Sequence, residues 1–90
     1  MQRWECLFVS DRRWIVPASH KVQQVYQYLQ NSLPHLKPKD LKILNNTGIS
    51  CEAITFSDLM NVLGADGWEV VGVAAPAHSD TTYVLKRPTG

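Results

Sequence analysis

From residue 3 to residue 9 the side chains alternate: Trp4, Cys6 and Phe8 fall on one face, Glu5, Leu7 and Val9 on the other. That is the period-2 pattern of a strand. Residues 10–13 are polar. Trp14-Ile15-Val16 is then a second apolar run, stopped at Pro17, which has no ladder donor to give. The pair predicts a hairpin over 4–16. The period then changes. Val22, Val25, Tyr26 and Leu29 recur at helical spacing, with Gln23, Gln24, Gln27 and Gln30 turned the other way. This predicts an amphipathic helix capped by Ser19 and closed over 31–33, ahead of Pro34.

Residues 35–40 read as a proline- and lysine-flanked loop. Residues 41–51 admit two readings: a hairpin of 41–44 and 49–51 about a four-residue turn, or a turn of helix over 41–44. From Thr55 the pattern is helical again. Thr55 and Asp58 approximate a capping box, and Phe56, Leu59, Met60 and Leu63 form the stripe. Gly64 is expected to close this helix and Gly67 to reverse the chain, where a positive φ costs glycine little. Trp68 opens a β-branched strand over 68–75. A polar loop over 76–80 leads to a last strand over 81–87, before Pro88.

These elements predict an α+β fold in one domain, 1–90: a small antiparallel sheet of at least 3–9, 68–75 and 81–87, with two amphipathic helices on one face. Trp68, Val70, Tyr83 and Leu85 are expected to meet Trp4, Cys6, Phe8 and the helical stripes in the core. Leu7, Val9, Val71, Val73 and Val84 would then lie on the second face, with Glu5, Glu69 and Lys86 as a charge cluster at one end. Two short helices cover one face only, so that second face is the expected interface of a homo-oligomer. The other outcome is that 14–16 and 41–54 fold over it.

Charge changes this picture little. Nine Lys/Arg stand against eight Asp/Glu, a net +1, which argues against nucleic acid and other polyanionic partners. No apolar run reaches the roughly 18 residues of a membrane span. The first residues lack a continuous apolar signal core, so a cytoplasmic protein with two reduced cysteines, Cys6 and Cys51, is expected.

At Trp4-Glu5, at Met60-Asn61-x-Leu63-Gly64-x-x-Gly67-Trp68-Glu69-Val70-Val71 and at Tyr83-x-Leu85-Lys86-Arg87-Pro88, the chain resembles a family of short, mostly bacterial proteins known as a domain of unknown function. The matching blocks cover about half the chain. Cys6 departs from the family's aromatic after Trp-Glu, and 16–54 holds a helix and loop that many such proteins lack. The resemblance implies a compact α+β domain and transfers no activity.

Candidate chemistry is sparse. His20, His35 and His78 are scattered, with no ligand-spaced partner, so no metal or cofactor is expected. His78 with Asp80 is an acid/base pairing that any polar loop could supply. Cys51 has no cation beside it in sequence to make a thiolate. No Gly-x-Ser-x-Gly turn occurs, and the turn around Gly64 and Gly67 follows a helix and precedes a strand, the reverse of a phosphate cradle. Arg12, Arg13 and Trp14 could grip an anion and stack a ring. Three functions follow in order: a non-catalytic binding or assembly module acting as a homo-oligomer, a binder of a small anionic or nucleotide-like ligand at Arg12, Arg13 and Trp14, and an enzyme whose site forms across a subunit interface.

Overall fold

In a computed structural model of the chain, residues 3–18, 21–45, 47–74 and 80–89 are described. They form β1 (Trp4–Ser10), β2 (Trp14–Pro17), α1 (Val22–Ser32), β3 (Leu41–Leu44), β4 (Gly48–Cys51), α2 (Phe56–Ala65), β5 (Glu69–Ala74) and β6 (Thr82–Pro88). All six strands join one antiparallel sheet in the order β3-β4-β2-β1-β6-β5. The hairpin reading of 41–51 therefore holds. The middle of the chain does not fold over a face of a three-stranded sheet. It widens the sheet instead, through β2 pairing with β4 (Ile15 opposite Ile49).

Local chemistry explains the junctions. Between β1 and β2 the Arg13 N–H donates to the Ser10 carbonyl at 2.9 Å, with Arg13 at φ 64°. Asn45, in the β3–β4 turn, sits at φ 52°, which Asn tolerates better than most residues. Helix α2 starts as expected, the Thr55 hydroxyl accepting from the Asp58 N–H at 3.1 Å. It runs past Gly64 to Ala65, so Gly64 does not end it. The reversal comes at Gly67, φ 92°, after which the Trp68 N–H returns to the Leu63 carbonyl at 3.2 Å. Helix α1 ends at Ser32 with Leu33 as its C-cap, before Pro34 as expected. Ser19, its expected cap, lies outside the described residues.

The face that β1 turns inward is the reverse of the expectation, while on β6 Leu85 is buried and Tyr83 packs against the core as expected. Leu7, Val9, Ile15, Ile49 and Leu85 are buried, in one cluster with Val22, Val25 and Leu29 of α1 and Leu59 and Leu63 of α2. Trp4 and Phe8, expected in the core, are exposed, and Cys6 is half-buried. The assignment of Leu7 and Val9 to an open interface face is thus corrected: both are wholly buried within the chain. Trp68 is buried as expected, whereas Val70 is exposed.

Val71 and Val73 are exposed and Val84 is half-buried, and they do not form one face: register puts Val73 beside Tyr83 on the side of Leu7 and Val9, and Val84 beside Phe8 on the other. A register shift between Val70 and Gly72 makes Val71 the extra residue of a bulge on edge strand β5. Val73 then pairs with Tyr83 and Gly72 with Val84. Among the described residues no helix is long and apolar enough to cross a membrane.

Candidate functional site

The buried face of β1 carries one charge, Glu5, and the fold surrounds it with partners. Lys21, just before α1, donates to Glu5 Oε2 at 3.1 Å, and Arg87 on β6 donates its Nε–H to Oε1. Arg87 also reaches the end of α2, pairing with the Asp66 carboxylate and donating to its carbonyl at 3.1 Å. Its guanidinium lies 4.6 Å from the centre of the Trp68 ring. Burial pushes the Glu5 carboxyl up, but Arg87 and Lys21 outweigh that and hold it below its usual range. The expected grouping of Glu5 with Glu69 and Lys86 is corrected. Glu69 pairs in register with Lys86, while Glu5 sits opposite Arg87. This network ties β1, β6 and the ends of two helices together, and each of its charged groups has a protein partner. Its role is to hold the fold.

The opposite face of the sheet is different. Trp4 (49%), Phe8 (37%), Trp14 (48%), Val16 (42%) and Leu44 (37%) remain exposed there. Register places the central side chains in a row across all six strands. Leu44 is beside Gly48, Gly48 beside Val16, Val16 beside Phe8, Phe8 beside Val84, and Val84 beside Gly72. A second row holds Lys42, Ser50, Trp14, Ser10, Thr82 and Ala74. The first row has no charge. Charges flank it: Lys42 on β3, Asp80 beside Phe8 and Val16, and Glu69 paired with Lys86, whose ammonium stands 4.0 Å over the Trp4 ring. Wide apolar patches of this kind mark surfaces that bind something.

Trp14 stands between hollows on this face. One, of about 390 Å³, is lined by Lys39, Asp40, Lys42, Ser50 and Glu52. Another, of about 250 Å³, lies toward Phe8, Val16, Asp80 and Thr82. The two arginines expected to share a ligand with Trp14 line neither. Arg12 forms an ion pair with Asp80 at 2.9 Å. Arg13 is half-buried, its Nε has no hydrogen-bond partner, and its charge acts on Cys51.

The nucleophile and metal candidates do not assemble. Cys51 is wholly buried. Burial pushes its thiol up and Asp40 adds to this, with Arg13 opposing, so the net shift is away from thiolate. His35 is exposed on its loop, while His20 and His78, and with His78 the pairing with Asp80, lie outside the described residues. Among the described residues no three His, Cys, Asp or Glu side chains are grouped to hold a metal ion.

Sequence reasoning missed Trp4, Phe8, Val16 and Leu44 as surface residues. The usable signal was that β1 is apolar on both faces, so one face had to be spare. No family model, curated protein or solved structure matches this chain.

Proposed function

We propose that the chain is a non-catalytic binding or assembly module that acts as a homo-oligomer, with the Phe8 side of its sheet as the working surface. One observation carries this: five large apolar side chains, on three of the six strands, are 37–49% exposed on a single face. We infer too that both helices lie on the other side, against Leu7 and Val9. Their stripes share one core cluster with those residues, and the Tyr28 hydroxyl on α1 donates to the Val62 carbonyl on α2 at 3.0 Å. The family resemblance enters as a proposal with no activity attached. Its residues Glu5, Trp68 and Arg87, far apart in sequence, meet in one network.

A second reading rests on the hollow between Trp14, Lys39 and Lys42. There an indole face and two ammonium groups would take a small anionic, ring-bearing ligand, with Asp40 and Glu52 limiting the net charge. Native mass spectrometry of freshly purified protein separates the readings. A dimer or larger assembly carrying no small molecule is expected. A monomer retaining a stoichiometric anionic ligand would replace the first reading with the second.

A further inference from the structure

The central row of the exposed face reads large, small, medium, large, medium, small from β3 to β5: Leu44, Gly48, Val16, Phe8, Val84, Gly72. We propose that this face packs against the same face of a second copy, about a two-fold axis parallel to the strands and passing between β1 and β2. The proposal rests on the homo-oligomer reading above and adds the surface and its symmetry.

Two features support a second copy as the occupant. The first is size complementarity. An axis along the strands reverses the strand order of the facing copy, so each side chain meets the residue at the mirrored place in the row. Leu44 then faces Gly72, Gly48 faces Val84 and Val16 faces Phe8. In the next row Trp14 faces Ser10 and Lys42 faces Ala74. Bulky groups oppose small ones, as in an interdigitating core, and every contact occurs twice, as an isologous dimer requires. An axis along the row would instead set Phe8 against Phe8 and leave glycine opposite glycine. It would give ridges and holes rather than a fit.

The second feature is area. Six strands about 4.8 Å apart span ~24 Å; three are six or seven residues long and three only four, a mean run of ~18 Å at about 3.3 Å per residue. The face, its polar row included, therefore projects roughly 430 Å². With the relief of its side chains its accessible surface approaches the ~600 Å² per partner at the lower end of stable complexes. The central row contributes no charge to desolvate, and the charges that flank it come in part as pairs, Glu69 with Lys86 in register and Arg12 with Asp80.

Stacked sheets cross at about 30°, which offsets the outer strands more than the inner ones. The decisive test therefore belongs at Val16 and Phe8, next to the axis. Size-exclusion chromatography with light scattering is run on the parent chain and on Phe8→Glu, Val16→Phe and the size swap Phe8→Val/Val16→Phe, with circular dichroism to confirm folding. The parent is expected to be a dimer at tens of micromolar. Phe8→Glu should make it a monomer, Val16→Phe should weaken the dimer about tenfold, and the swap should restore it.

A monomeric parent overturns both this proposal and the homo-oligomer reading. A parent oligomer that Phe8→Glu leaves intact keeps that reading and overturns this face. A dimer lost in Phe8→Glu but no better in the swap than in Val16→Phe overturns the symmetry. Should Phe8→Glu fail to fold, Val16→Glu on the neighbouring strand supplies the same reading.

Discussion

Glu5 and Arg87 are register partners across β1 and β6, and their side chains meet on the buried side of the sheet although 82 positions separate them in sequence. Each has a further partner, Lys21 for the carboxylate and Asp66 for the guanidinium. Burial works against both charges, yet the net effect lowers the Glu5 pKa and raises that of Arg87.

The pH dependence follows from the direction of the Glu5 shift. Its folded pKa lies below its unfolded one, so between the two the unfolded chain binds more protons. The stability Glu5 contributes is complete above the unfolded carboxylate pKa of about 4.3 and declines as pH falls toward the folded value. Glu5→Gln should cost about 1–3 kcal/mol at neutral pH and flatten the acid limb of stability against pH. Urea denaturation from pH 7 to pH 3 measures both. An unchanged acid limb in the variant would show that the network carries no linkage.

Trp68 is buried beneath the Arg87 guanidinium and follows directly on the turn at Gly67. Trp68→Ala should cost about 3–5 kcal/mol. Since 1 kcal/mol moves the melting point of a domain this small by about 4–8 °C, the loss should exceed roughly 12 °C. A Tm within a few degrees of the parent would remove Trp68 from the core.

Leu7 and Phe8 are neighbours on β1 with opposite fates. Leu7→Ala should lower stability by about 2–5 kcal/mol, irrespective of protein concentration at concentrations where the assembly is saturated. On the proposed assembly, Phe8→Ala should cost less than Leu7→Ala in the dilute chain and progressively more as concentration rises, because the self-association it weakens adds stability by mass action. Thermal melts across a hundredfold concentration range distinguish the two.

Cys6 and Cys51 should differ in reactivity. Cys51 is wholly buried with its thiol pushed up, while Cys6 is half-buried on the Phe8 side of the sheet. A maleimide should modify one thiol per chain in dilute native protein and two in denaturant. Native labelling of Cys51 at the same rate as Cys6 would contradict its burial.

Local elements were legible wherever one residue type has a mechanical reason to sit where it does. Thr55 caps α2, Gly67 takes the positive φ of the turn, Pro34 follows the end of α1, and the stripes at Val22, Val25, Leu29 and at Leu59, Leu63 are the ones buried. The bulge in β5 was not legible, because Val70-Val71-Gly72-Val73 has no polar residue to mark which side chain is the extra one.

The sequence by itself determined that Glu5, Leu7 and Val9 share one side of β1 and Trp4, Cys6 and Phe8 the other, since alternation is built into a pleated strand. It did not determine which side is the core. Both are apolar enough to serve, and burying Trp4 and Phe8 would even remove more carbon from water. The tertiary structure decided it through pairing: Leu7 lies opposite Leu85, and the same face continues through Ile15 and Ile49. On that side the ion partners of Glu5 are also at hand, from Lys21, Arg87 and, through Arg87, Asp66. Those partners come from segments distant in sequence, so no local pattern along β1 could register them. They let a carboxylate be buried, and leave the larger aromatic residues on the side that faces outward.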